Sequence, residues 1–216
     1  MIQSNTQITL TGHLLLPDGD RSVRLAPGTI TVAQGRITSV REGPLDQHPD
    51  FGGEACLICP GFVDTHLHLP QFDSIGIDGL ELLDWLDRII FPAEARWADT
   101  DFAGHMAGRV ARQLLSFGTT AVAAYATVHH QSAQAAIDAL AGAGLAGHVG
   151  QVLMDQEAPS DLIRPARQLL AEAPRLEARG RIRPSITPRF AVSCSRELLH
   201  GAGTLANSTG WLVQTH

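Results

Sequence analysis

His66 and His68 stand one residue apart in the run Asp64-Thr-His-Leu-His68. In a β-strand, residues i and i+2 point to the same face, with Cα atoms roughly 6.5–7 Å apart. Two imidazoles so placed can grip one metal ion from one side, and zinc favours such nitrogen ligands. Ten histidines in 216 residues make one such pair unsurprising by chance. Its position gives it weight. The pair follows a compact strand signal at 61–65, and active sites of β/α barrels sit at the C-terminal ends of the strands. His216 ends a second strand signal, 211–215, in the same way. In a closed barrel the ends of the first and fifth strands face each other across the mouth. Three histidines from these two strands then converge on one point and leave a coordination position open for water.

The elements that must position these residues are legible from periodicity and punctuation. Residues 1–59 read as short strands. The stretch 7–16 is rich in Thr, Ile and Leu, and 28–33 and 37–41 flank Gln34-Gly-Arg36, a hairpin signal. After Pro60 the rhythm changes. Apolar residues at 80, 82, 83, 86, 89 and 90 have helical spacing, and 102–117 predicts a second helix. Asp99 or Thr100 stands where its N-cap belongs and Gly118 where its C-terminal cap belongs. Strands are predicted over 119–125, 147–154, 182–187 and 211–215, and helices over 133–143, 162–178 and 196–207. Such alternation predicts parallel β/α units. Both an open doubly wound sheet and a (β/α)8 barrel fit it. An open sheet with a nucleotide site calls for a Gly-rich turn after its first strand, and here that strand runs into histidines. The barrel is favoured.

Pro60-Gly-Phe-Val-Asp-Thr-His-Leu-His68 resembles the metal-binding signature of the amidohydrolase superfamily. Gly118-Thr-Thr120 resembles the opening of that superfamily's second barrel strand, and the preceding β unit its small sandwich. The resemblance implies an α/β fold: an incomplete (β/α)8 TIM-type barrel of the metal-dependent hydrolases, with about five strands, over 60–216. The N-terminal part of the β-sandwich precedes it over 1–59. Within the superfamily the chain is most similar to the guanine deaminases. His68-Leu-Pro-Gln71, Leu83-Asp-Trp-Leu86, Phe91-Pro-Ala-Glu94, Tyr125-Ala-Thr-Val-His129, Pro188-Arg-Phe190 and Ser193-Cys-Ser195 resemble successive stretches of that family in the right order.

This resemblance implies that His66, His68 and His216 are metal ligands, that Gln71 hydrogen-bonds a purine, and that Arg189 and Phe190 hold the base. Gln and Arg side chains can read the edges of guanine, and a phenyl ring offers an apolar face. Without the resemblance, Phe190 reads as core and Arg189 as a surface charge. The implied reaction is hydrolytic deamination of guanine to xanthine and ammonia, with one Zn2+ per subunit; iron suits the same ligand types. A metal-activated water attacks C2 while a carboxylate carries a proton to the departing amine. The family pattern sets that Glu three positions past the third histidine and draws another His and an Asp from later strands. The chain ends at His216, so the 216 residues alone are expected to be unstable or inactive. Other nucleobase or triazine amidohydrolases, and a non-catalytic remnant, are the competing readings. A homodimer is what the family suggests.

Composition narrows the rest. A net charge of −6 with no basic stripe excludes nucleic acid as an expected partner. No signal peptide is read in 1–7, and the apolar run 14–16 is too short to span a bilayer. The expectation is a cytoplasmic protein with reduced thiols and no membrane partner. Cys56-Leu-Ile-Cys59 lacks a second pair to complete a zinc site and reads as two buried thiols at a strand edge. His129 reads equally as a mouth residue, a helix cap or a support for the ligands. Trp85, on an apolar helical face, reads as core.

Overall fold

The computed structural model describes residues 7–216. The opening residues 1–6, where a signal peptide is not expected, lie outside them. The chain divides into two units between Pro60 and Gly61. In the first, β1 (Gln7–Asp18), β2 (Ser22–Ala33) and β3 (Arg36–Glu42) form an antiparallel meander. Gln34 and Gly35 close the β2–β3 hairpin with φ of 53° and 72°, the backbone of a type I′ turn. A strand that the periodicity does not reveal, β4 (Phe51–Ile58), pairs in parallel with β1 and completes the order β3-β2-β1-β4. Gly52, Gly53 and Glu54 interrupt the apolar alternation that would have marked it.

As an edge strand, β4 is covered on one side only, and the cysteine expectation fails there. Cys56 and Cys59 are unpaired and exposed rather than buried. A single sheet, with no second layer among the described residues of this unit, has nothing to cover them.

The second unit carries the parallel strands. Among the described residues, β5 (Phe62–His68), β6 (Thr119–Tyr125), β7 (Ala146–Gly150) and, after an interruption at Gln151, β8 (Val152–Leu153) follow one another. Next come β9 (Arg181–Pro184) and β10 (Thr187–Pro188). One sheet runs β5-β6-β7-β9, and β8 pairs with β10. Every pairing is parallel. This is the strand order of the first part of a (β/α)8 barrel. The predicted fifth strand is reduced to one parallel bridge, Ile186 to Val213. The backbone still follows β10, since Ile186 N–H donates to Leu212 O (2.9 Å) and Gln214 N–H to Ile186 O (3.0 Å). Gln214 secures it from inside. Its buried Nε2 donates to Ser185 Oγ (2.6 Å) and to the Ala124 carbonyl on β6 (3.2 Å).

Helices lie between the strands. The predicted helix over 80–90 is a rod of changing pitch: α1 (Leu82–Trp85), a π turn (Leu86–Ile90), α2 (Phe91–Ala95) and a 3-10 turn (Arg96–Ala98). Pro92 accounts for the widened turn, because its ring clashes with the carbonyl four residues back, at Arg88. In α3 (Thr100–Ser116) Asp99 is the N-cap, accepting from the N–H groups of Asp101 (3.0 Å) and Phe102 (3.1 Å). Gly118, at φ 81°, follows the other end. Ala103, Met106, Ala107, Val110 and Ala111 bury one stripe of α3. They pack with α4 (His130–Gly142) and with Val122, Ala124 and Val149 of the sheet.

The helix predicted over 162–178 shrinks to α5 (Ala166–Glu172) and a 3-10 turn at Ala173–Arg175. Pro165 disfavours helical backbone at the residue before it, and Pro174 withholds an N–H near the end. In a second core, α5 and α6 (Arg196–Thr209) cover Leu153 and Ile186. Among the described residues, no helix is long and apolar enough to cross a membrane.

Asp99→Ala removes two capping hydrogen bonds from the longest helix. It should destabilise the protein by about 1 kcal/mol and lower its Tm. A thermal melt that does not move would show that the cap contributes nothing.

Candidate metal centre and ligand pocket

The positions of the two strand histidines depend on an irregularity in β5. Asp64 pairs with Val122 and Leu67 with Ala124, so three steps on β5 match two on β6. This is a β-bulge at Thr65–His66, a device that re-aims side chains. The Asp64 carboxylate supports it by accepting from the His66 backbone N–H at 3.1 Å. The rings of His66 and His68 meet edge-on, with centroids 5.2 Å apart and planes at 72°.

His216 arrives from across the mouth. Its backbone N–H donates to the Arg189 carbonyl (3.3 Å), and its ring Nδ1–H donates to the same oxygen. A carbonyl can only accept, so the proton is on Nδ1 and the Nε2 lone pair is free. That Nε2 lies 2.9 Å from Nε2 of His68. One ligand nitrogen from each of His66, His68 and His216 falls within 4.8 Å of the others. Two nitrogens on one tetrahedral zinc, each at 2.0–2.1 Å, stand about 3.3 Å apart. The donor set fits a metal of that preference, and the Arg189 carbonyl orients one of the three imidazoles. Burial, aided by the nearby Arg189 charge and the other two histidines, pushes the pKa of His68 down to about 3. His68 is therefore neutral at pH 7, the form a metal requires.

Tyr125, at the end of β6, floors this cluster. Its ring stacks on His68 at 4.5 Å and lies 4.7 Å from His216. Burial pushes its phenol pKa up, partly offset by Arg189. Its hydroxyl has no partner among the described residues.

The cluster opens into a cavity of about 660 Å3 lined by Gln71, Phe72, Trp85, Leu86, Arg189 and Phe190 together with the three histidines. That volume suits a small organic ligand. Gln71 comes from the 3-10 turn after β5, and Arg189 and Phe190 follow β10. All six residues singled out from the sequence therefore meet at one place. Arg189 is buried, not a surface charge. Phe190 is half-buried and stands edge-on to His216, with centroids 6.4 Å apart. Trp85 lines the cavity and is only half-buried, so its reading as core is corrected; the helical rod turns that face toward the opening. His129 stays outside the histidine cluster. It occupies the N-cap position of α4 without making a side-chain cap bond, and its Nδ1 accepts from Arg164 at 3.2 Å.

One residue of the site was not singled out. Glu94, on α2, is buried; its Oε1 accepts from Gln71 Nε2 at 3.1 Å and its Oε2 from Arg189 Nη1 at 2.5 Å. The signal was available. Glu94 lies four residues after Ile90 and three before Trp97, both buried, so an acid occupies the apolar stripe of a helix. An acid there needs a buried partner.

The amidohydrolase family model matches residues 57–216. The chain belongs to the amidohydrolase family. That family is typically metal-dependent, and the three histidines form a group able to hold an ion. Among relatives of this amidohydrolase, a guanine deaminase of Escherichia coli (strain K12) is 36% identical over 182 residues, covering 79% of this chain and 41% of that protein. A guanine deaminase of Dictyostelium discoideum is 34% identical over 174 residues, 77% of this chain and 38% of that one. The crystal structure of guanine deaminase from C. acetobutylicum with bound guanine superposes with a TM-score of 0.86 at 31% identity. It covers 98% of this chain and 53% of that one. The chain thus spans about two-fifths of those curated relatives and about half of the solved structure.

Proposed function

We propose that the protein carrying this chain hydrolyses guanine to xanthine and ammonia, and that His66, His68 and His216 hold a zinc ion for it. The observation that carries this reading is the shared cavity: the three imidazoles and the Gln71, Arg189 and Phe190 side chains line one space of about 660 Å3. The guanine deaminases at 34–36% identity support the choice of substrate. When bound, the metal supplies an activated water at neutral pH.

This chain's own residues do the rest of what is assigned here. Phe190 and Trp85 offer aromatic surface to a planar base. Arg189 donates to a carbonyl oxygen of the substrate and Gln71 hydrogen-bonds its edge. The Arg189 backbone carbonyl fixes the tautomer and the aim of His216. No carboxylate joins the histidine cluster among the described residues, and Glu94 is engaged by Gln71 and Arg189. Three unpaired thiols suit a reducing compartment, and a cytoplasmic enzyme is the reading they favour.

The test is to express the whole reading frame that carries this chain, supply zinc and follow guanine loss by its ultraviolet absorbance. Turnover that disappears in His66→Ala and falls sharply in Gln71→Ala is the expected result. Bound zinc without guanine turnover would leave the metal centre standing and discard the substrate.

A further inference from the structure

We propose that Glu94 is a positioning residue that fixes which hydrogen-bonding pattern the pocket offers its ligand, so that the pocket selects a lactam edge, an N–H beside a C=O. The inference rests on the reading that the cavity takes a purine. Glu94 and Arg189 form a buried ion pair, with side chains 7% and 6% exposed. The other carboxylate oxygen accepts from Gln71 Nε2 at 3.1 Å. A carboxylate in an ion pair only accepts, so it dictates which end of the Gln71 amide faces it. The NH2 group is held at Glu94, and Oε1 is left without a protein partner among the described residues. That free acceptor belongs to a side chain in the cavity lining.

Arg189 gives one donor nitrogen, Nη1, to Glu94 and keeps further N–H groups for the cavity. Phe91 stands at one face of its guanidinium, 5.9 Å from ring centroid to Cζ. The two oxygens of a single carboxylate thus hold an acceptor and a donor group side by side. A ligand edge that complements them has a donor beside an acceptor. The N1–H and C6=O of guanine form such an edge. 2-Aminopurine has the same ring system but no carbonyl, and its bare N1 only accepts. The amide of Gln71 can flip at little cost if nothing polar fixes it, and its end-to-end orientation carries the selectivity. Glu94→Gln replaces an obligate acceptor by a group that itself presents either an oxygen or an NH2. The lock on Gln71 is then lost, although the side chain keeps its size.

The experiment uses the product of the whole reading frame, loaded with zinc, as wild type, E94Q, Q71L and the double variant. Two quantities are read: kcat and KM for guanine, and the Kd of 2-aminopurine from its fluorescence. In E94Q the guanine KM should rise at least about tenfold, the loss of one well-aimed hydrogen bond, with kcat changed much less. The affinity for 2-aminopurine should hold or improve. In the Q71L background, E94Q should add less loss of preference than it causes alone, because much of its effect runs through Gln71.

Equal losses for both ligands, or effects of the two substitutions that simply multiply, would assign Glu94 a structural role only and overturn the proposal. So would an unchanged preference in folded, zinc-loaded E94Q. Should E94Q fail to fold, Q71L alone decides: it must weaken guanine more than 2-aminopurine, and equal weakening refutes the lock. Wild-type protein that does not turn over guanine removes the purine reading and this inference with it. Wild-type turnover with an unaltered preference in E94Q removes only the inference.

Discussion

His216→Ala is expected to leave the protein with almost no bound zinc after dialysis and, on the proposed function, no measurable guanine turnover. The reason is geometric. His66 and His68 lie on one strand, and their nitrogens approach the cluster from the same side. His216 supplies the ligand from the opposite wall, and its free Nε2 is oriented by the Arg189 carbonyl through Nδ1. His216 is one of the three clustered nitrogens among the described residues, and each protein ligand contributes directly to holding the ion. Loss even of a group that merely orients a ligand typically lowers metal affinity or activity 10–100-fold, and loss of the ligand itself should exceed that. Metal analysis of dialysed wild type and variant, together with the guanine assay, checks it. A variant that retains a full equivalent of zinc would place the metal elsewhere.

Arg189→Ala should separate the two halves of the site. It leaves the Glu94 carboxylate buried without its cation. Removing one partner of a buried pair is destabilising by about 3–5 kcal/mol, because the remaining charge has no compensation. Tm should fall by at least several degrees. Guanine affinity should fall with it, since the donor proposed for the substrate carbonyl is gone. Zinc should stay, because His216 is held by the backbone carbonyl of residue 189, which the substitution keeps. Pairing Arg189→Met with Glu94→Leu should recover much of the lost stability without recovering guanine binding, as apolar replacements of buried pairs often do. Thermal melts and zinc analysis on the same preparations decide. Simultaneous loss of zinc in Arg189→Ala would mean that the side chain, not the backbone, supports the metal.

Strong local signals made the histidine cluster legible from the amino-acid order. His66 and His68 close a strand signal after Pro60-Gly61, and His216 closes another, so type and position agree. The β/α alternation likewise placed β6, α3 and α6 close to where they lie, because Asp99, Gly118 and Ser195 cap where periodic segments begin or end. What escaped depends on partners distant in sequence. The bulge in β5 exists only against β6. Strand β4 hides behind Gly52 and Gly53 and is fixed by pairing with β1. Segment 211–216 is held less by a ladder than by the Gln214 amide reaching Ser185 and Ala124. Helical periodicity runs on across Pro165 in 162–178, although that proline, in plain view, delays the helix to Ala166. Glu94 was the clearest missed signal: an acid at the spacing of Ile90 and Trp97 belongs to a buried stripe and implies a buried cation.

Central to the proposed function is that the three histidines bind a metal beside a pocket that takes guanine. Anomalous diffraction at the zinc edge, on crystals of the zinc-loaded product of the reading frame soaked with guanine, tests it directly. The predicted result is one zinc peak within about 2.0–2.1 Å of ring nitrogens of His66, His68 and His216, with the purine between Gln71, Arg189 and Phe190. A zinc peak bonded elsewhere, or guanine outside that cavity, would contradict it.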